Sequence, residues 1–221
     1  MSEINITVEG GTSKRLLTAG KYCDRDIVVT ATGGGAEEEY VPVPCIRFTG
    51  DQIVDTGIIC NQNTKIRIIF MRDDDASMYM YGVASAGNTA SVTAYLTSSG
   101  GSWRFGNKNA TKVIATNEEL VQTAVVSKTG IVMANSNSTF SGVANFETVG
   151  TMLVGSCRNA DGTVGSAQFI GRIVGLEMWD GAQVLKLCPV MRKDGVYGFK
   201  DDIKGNFHTS ITDIPLEGGQ I

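Results

Sequence analysis

At 221 residues the chain is long enough for one β-sandwich of ordinary size plus a small appendage, and it buries about 70% of its unfolded surface without needing disulfides or metal. Its 42% hydrophobic and 19% charged residues are globular in pattern, neither disordered nor membranous. A net charge of −4 leaves no basic footprint for nucleic acid.

Gly is abundant at 27 and Pro scarce at 4, which fits many tight hairpins. The cysteines at 23, 45, 60, 157 and 188 are odd in number and contain no CxxC, so they read as small buried hydrophobes of a protein assembled in a reducing cytoplasm. Glu3, Glu9, Lys14 and Arg15 break up the N-terminus, so exit by the ordinary secretory route is not expected. No stretch reaches the ~18 apolar residues of a membrane span.

Residues 1–32 read as a small two-stranded module. Ile4, Ile6 and Val8 alternate as one strand; Ile27, Val28 and Val29 make the second, after a long Gly-rich connection. Two strands alone are marginal in water, so these apolar residues are candidates for docking onto the main domain, a sister subunit or a larger assembly. A homotrimer is one such assembly. Residues 33–39, GGGAEEE, form a linker, because three glycines hold no structure and three like charges repel.

From Tyr40 to the end the pattern is β. Residues 43–49 and 53–59 suggest a hairpin turning at Gly50-Asp51. Further strands are expected at 64–71, 78–84, 91–96, 101–105, 113–115, 121–127, 130–134, 139–143 and 151–155, separated by Gly, Ser, Asn and Asp clusters. Only TNEEL, 116–120, looks like a helix start.

The stretch 168–210 closes the unit. Residues 169–179 are apolar on both alternating faces: Ile170, Val174, Leu176 and Met178 on one, Phe169, Ile173 and Trp179 on the other. Such a strand is expected inside a sandwich, covered on both sides. Asp180-Gly181 is a turn, 184–188 the returning strand, and Pro189 its end, since proline has no donor for the ladder. Turns at 193–195 and 201–205 lead to strands at 196–199 and 207–209. The fold class expected is all-β: a two-sheet antiparallel jelly-roll sandwich over 40–221, preceded by the small module.

An ordered series of motifs runs through this domain. It begins with Thr49-Gly50, Asp55-Thr56-Gly57 and Asn61, and continues with Trp103-Arg104-Phe105-Gly106-Asn107. Gly155-Ser156, Asn159-Ala160-Asp161-Gly162 and Gly171-Arg172-Ile173 follow. It ends with Pro189-Val190, Arg192, Asp194 to Gly198 and Phe207-His208-Thr209. The series resembles the concanavalin A-like, laminin-G-like jelly-roll domains of bacteriophage virion structural proteins, and residues 4–32 resemble the short Gly-rich β modules of phage tail and virion proteins. The resemblance implies a virion structural role, in a head decoration, tail fibre or baseplate, and no catalysis. The chain departs from it at Arg72-Asp73-Asp74-Asp75 and Tyr81-Gly82-Val83-Ala84, where many relatives carry an Arg-rich segment.

Candidate chemistry is sparse. Glycoside hydrolysis needs two facing carboxylates, and no Glu-x-Asp-x-x-Glu run exists; Glu177 and Asp180, three apart on a strand, point to opposite faces. His208 is the single histidine, and no nucleophile elbow accompanies it. Asp73, Asp74 and Asp75 are a weak calcium candidate without the EF-hand pattern, and read more simply as a solvated hairpin tip. Trp103, Tyr79, Tyr81 and Tyr95, with Asn107 and Asn88 at loop ends, are a candidate glycan platform, because a pyranose presents an apolar face and a polar rim. The competing reading puts these aromatics in the core.

The function expected is therefore a virion structural protein on the particle surface, without cofactor or enzymatic activity, presenting a lectin-like domain to host-surface glycans. Its expected partners are other capsid or tail proteins. A purely structural, particle-stabilising role is the alternative, and a polysaccharide hydrolase a remote one.

Overall fold

The computed structural model describes residues 40–98, 100–112, 120–134 and 136–221. The module 1–32 with its docking residues, the 33–39 linker, the strand expected at 113–115 and nearly all of the expected helical turn lie outside the described residues. The strands are, in chain order, β1 Tyr40–Pro42, β2 Cys45–Thr49, β3 Val54–Asn61, β4 Thr64–Arg72, β5 Met78–Val83, β6 Ser91–Thr97, β7 Gly100–Gly106 and β8 Lys108–Lys112. They continue as β9 Gln122–Ser127, β10 Gly130–Met133, β11 Ser136–Thr139, β12 Glu147–Val154, β13 Ile170–Asp180, β14 Ala182–Arg192, β15 Tyr197–Asp201, β16 Phe207–His208 and β17 Glu217–Gly219. One 3₁₀ turn, Ala86–Asn88, interrupts them.

The strands form two antiparallel sheets, a jelly-roll sandwich. The large sheet runs β11-β10-β9-β4-β13-β14-β15-β16 and also takes in β1, β2 and β17; the small sheet runs β3-β12-β5-β6-β7-β8. At its centre, β13 pairs with β4 along one flank from Gly171 to Asp180. Its other flank is shared: β2 takes Ile170–Ile173 and β14 takes Leu176–Asp180. β1 then lies against the far end of β14, at Val190–Arg192. The chain thus enters the domain inside a fork between its two longest strands.

The two inner faces meet in one core. Ile66, Ile68, Phe70, Ile173, Leu176 and Met178 of the large sheet pack towards Met78, Tyr81, Trp103 and Phe105 of the small one. Alternation explains most of this: in β9, Gln122, Ala124 and Val126 are buried while Thr123, Val125 and Ser127 are half-exposed. In β13 alternation alone fails. The register to β4 slips between Ile173 and Gly175, so Val174 is an extra, bulged residue. Leu176 and Met178 therefore share the inner face with Phe169 and Ile173, not with Val174 as strict alternation had it. Val174 joins Cys45 and Ile69 in a small cluster on the outer face. Among the described residues no second layer covers that face: Trp179 is half-exposed there, with Lys65 Nζ 4.9 Å from its ring centre.

Four other sequence expectations are corrected. Residues 43–49 and 53–59 do not form a hairpin; β2 belongs to the large sheet and β3 to the small one, and Gly50 at φ +104° turns the chain between layers. Pro189 does not end its strand, which runs on to Arg192. The N and C=O of one strand residue face the same edge, and the Pro189 carbonyl accepts from Val43 N at 3.1 Å. The missing donor therefore faces the fork, where β14 changes partner from β13 to β1. Strand β11 ends at Thr139, short of the expected 139–143 segment. Two strands, β8 (KNATK) and β17 (EGG), carry no apolar alternation and pair only by register, with β7 and β2.

The entry strand is fastened on the outer face. Lys200 Nζ lies 4.9 Å from the Tyr40 ring centre, Tyr40 and Phe207 are 5.5 Å apart, and Arg192 Cζ lies 5.1 Å from Phe207. Arg192 is held in turn by Asp194. Cation–aromatic contacts of this kind each contribute about 0.5–1 kcal/mol at exposed sites.

Trp103 is fully buried, edge-on to Tyr81 at 6.0 Å. Trp103→Ala is expected to lower unfolding free energy by about 3–5 kcal/mol in urea titrations. Burial also pushes the thiols of Cys45, Cys60 and Cys157 up to about 11, 12 and 12 from an ordinary value of 9. Above pH 9 the unfolded chain sheds those protons while the folded chain keeps them, so their contribution is complete below pH 9 and is lost as pH climbs towards 12. Calorimetry should show Tm falling from pH 9 to 11, and falling less steeply in a Cys60→Ala, Cys157→Ala variant.

Candidate functional site

The outer face of the small sheet is built by a second bulge. Tyr79 pairs with Tyr95 and Tyr81 with Ala94, so Met80 is the extra residue between them. Without it Tyr79 and Tyr81 would share a face. With it Tyr81 turns into the core and Tyr79 turns out, beside the outward Tyr95 with ring centres 4.7 Å apart. Both outward rings are half-buried.

Register extends this pair into two rows across the strands. In one row Tyr95 on β6 faces Ser102 on β7. In the next, Thr93 on β6 faces Arg104 on β7, which faces Asn109 on β8. Ser102 Oγ donates to Asn109 Oδ1 at 2.8 Å, leaving the –NH₂ of this exposed side chain for another acceptor.

The segment 155–168 walls the platform on the β5 side. Arg158 N donates to Gly82 O at 3.1 Å, Ala84 N to Arg158 O at 2.7 Å and Tyr79 N to Ala167 O at 2.8 Å. Gln168 bridges Tyr79 in parallel, and its buried Oε1 has no partner among the described residues. This close passage needs Gly82, since a Cβ there would stand 2.8 Å from Cys157 Sγ. The Arg158 side chain then crosses β12 to Asp55 on β3, with Nη2 2.7 Å from Oδ2, and Nε donates to Thr151 O at 3.0 Å. Burial, then the neighbouring Cys157 and Tyr95, raise the Tyr79 phenol above its ordinary value, against a smaller opposing effect of Arg104. It is a neutral donor at neutral pH.

Of the residues singled out from sequence, the structure brings Tyr79 and Tyr95 together and separates the rest. Trp103 and Tyr81 are fully buried, so neither can meet a sugar; their positions in β7 and β5 face the opposite sheet. Asn107 is exposed at the β7–β8 turn and accepts from Ala144 N at 3.5 Å, off the strand face. Asn88 ends the 3₁₀ turn at φ +56°. Ser102, Arg104 and Asn109 were not among the candidates. Alternation in GSWRFG, with Trp103 and Phe105 inward, carried the signal for the first two.

The three aspartates do not converge. Asp73 is bound by Arg172 at 2.7 Å and approached by Arg47 at 3.8 Å. Asp74 Oδ1 accepts from Ala76 N at 2.6 Å, and Asp75 lies 4.0 Å from Arg72. Arg72 is itself buried, donating to the carbonyls of Asp74, Ala76 and Thr97. Arginines already neutralise this loop, and among the described residues no group of three metal-ligating side chains forms. Glu177 pairs with Arg67 at 3.1 Å, and Asp180 accepts from Asn61 Nδ2 at 2.9 Å. His208 lies opposite Phe199, with Nδ1 3.1 Å from Asp55 O.

No protein-family model matches the chain, and no curated protein is similar to it. Solved structures are. A candidate carbohydrate binding protein from Bacteroides ovatus superposes with TM-score 0.54 at 13% identity, over 80% of this chain and 60% of that one. The heptameric SAP-like pentraxin of Limulus polyphemus gives 0.46 at 14% identity, over 62% of this chain and 76% of that one. Domains LG4-5 of the mouse laminin α1 chain give 0.45 at 12%, over 75% and 49%. The chain thus spans about half the length of the laminin fragment. The Bacteroides likeness extends to the fold alone, a concanavalin A-like jelly roll.

Because Arg158 holds the wall of the platform, Arg158→Ala should cost about 1–2 kcal/mol, in keeping with charged hydrogen bonds at a partly exposed site. Amide exchange at Gly165 and Tyr79 should quicken more than in β13, and uniform quickening would contradict the assignment.

Proposed function

We propose that the domain binds carbohydrate on the outer face of its small sheet, as the adhesive part of a protein displayed on a virion surface. The observation that carries the reading is the Tyr79–Tyr95 pair, turned to solvent by the Met80 bulge and bordered by Ser102 and Asn109. A sugar ring lies its apolar face on an aromatic and presents hydroxyls to nearby amides and hydroxyls, and both kinds of partner stand here on adjacent strands. No described segment closes over the face, so a single site is expected to hold sugar weakly, with Kd on the order of 1 mM. Many copies on one particle would raise the overall avidity by about 10²–10⁴.

The virion half of the proposal rests on the sequence resemblance. Residues 1–32, with Ile4, Ile6, Val8, Ile27, Val28 and Val29, would dock the chain to capsid or tail proteins or to sister copies, and 33–39 would give the sandwich reach. The protein would be made and assembled in the bacterial host cytoplasm.

A glycan array probed with multimerised full-length protein tests the adhesive half. Binding that falls at least about tenfold in Tyr95→Ala, with unchanged Tm, supports it; absence of binding at every valency would favour the ligand-free, particle-stabilising role.

A further inference from the structure

Arg104 stands out on the platform because no described residue satisfies it. Among the described residues every other arginine has a carboxylate nearby: Arg47 and Arg172 share Asp73, Arg67 has Glu177, Arg72 has Asp75, Arg158 has Asp55 and Arg192 has Asp194. Arg104 makes no hydrogen bond or ion pair with any described residue, although it is half-buried between Thr93 and Asn109. Holding a guanidinium against a sheet face without an anion forgoes the charge-assisted hydrogen bonds that its planar fork can make.

The surroundings favour an anion from outside. Strands β5 to β8, with sequences MYMYGV, SVTAYLT, GGSWRFG and KNATK, contain no Asp or Glu in a chain whose net charge is −4. Arg104 is diagonal to Tyr95, which faces Ser102 two residues before it on β7. Diagonal neighbours of this kind are roughly 7–8 Å apart. That span suits a six-membered sugar ring lying on Tyr95 whose exocyclic carboxylate reaches the guanidinium. The –NH₂ of Asn109, free of its bond from Ser102, stands cross-strand from Arg104 to meet a hydroxyl or a carboxylate oxygen.

We infer that the platform selects acidic sugars, with Arg104 receiving the carboxylate of a uronic or sialic acid whose ring rests on Tyr95 and Tyr79. The inference rests on the carbohydrate-binding reading and adds a ligand class to it. Arg104 is a specificity residue and the tyrosines are the affinity residues, so the two roles separate by mutation.

The test uses multimerised full-length protein against uronate and sialoside glycans, each paired with its methyl ester, which keeps the sugar and removes the charge. The wild type should prefer the acid over the ester by about tenfold at low salt, a preference that shrinks at high salt. Arg104→Gln should equalise acid and ester while retaining ester binding; Tyr95→Ala should weaken both. Equal wild-type binding to acid and ester, or a preference that survives in Arg104→Gln, overturns the acidic selectivity and leaves the carbohydrate reading standing. Binding to neither member of any pair overturns both.

Discussion

Single-residue bulges at Val174 and Met80 set which side chains of β13 and β5 are core and which are surface. A strand has a strict period of two, so one inserted residue exchanges the faces of everything beyond it. At Val174 the insertion lets Phe169 and Ile173 share the core with Leu176 and Met178, so β13 buries one face along its whole length. At Met80 the insertion sends two nearby tyrosines to opposite sides of the small sheet. Tyr81 meets Trp103 in the core, and Tyr79 meets Tyr95 outside. Core and platform are therefore products of one constraint.

The remaining architecture protects that phasing. β13 is held along one flank by β4 and on the other by β2 and β14 in succession, so the register on both sides of the bulge is specified by separate partners. The fork between β13 and β14 is filled by the entering chain, which is fastened by the row of Lys200, Tyr40, Phe207 and Arg192. On the small sheet, the segment 155–168 lies along β5 on both sides of its bulge and is pinned through Arg158 to Asp55. The ring pair outside thus has a wall whose anchor reaches across to β3.

Much of the fold was legible because it depends on local pattern. The run 169–180, the Asp180-Gly181 turn and the sequence of short alternating segments have the right period and the right punctuation. The closing motif residues Arg192, Asp194, Gly198 and Phe207 make sense together once folded: a Cβ at Gly198 would strike the Phe207 ring, and Asp194 holds Arg192 over it. What escaped depends on the partner strand. Nothing within KNATK or EGG says strand, because register alone recruits them. Nothing within IGRIVGLEMW or MYMYGV marks the inserted residue, so face assignments downstream were inverted. Pro189 was read as a stop because it has no donor, but it falls in the fork, where Val43 N still reaches its carbonyl and β14 passes from β13 to β1. For the same reasons the candidate site was half legible. Tyr79 and Tyr95 do stand together on the outer face, whereas Trp103 and Tyr81 went to the core, and Asn109 needed the register to be placed beside Arg104.

The account makes the ligand face a flat sheet surface instead of the loop rim, and makes charge choice a property of one arginine there. A ¹H–¹⁵N NMR titration of the full chain with an oligouronate tests this directly. The account predicts shift changes concentrated at Tyr79, Tyr95, Ser102, Arg104 and Asn109, with the buried Trp103 indole silent. Shift changes centred on the 73–77 loop or the Asn107 turn, with the sheet face unmoved, would contradict it.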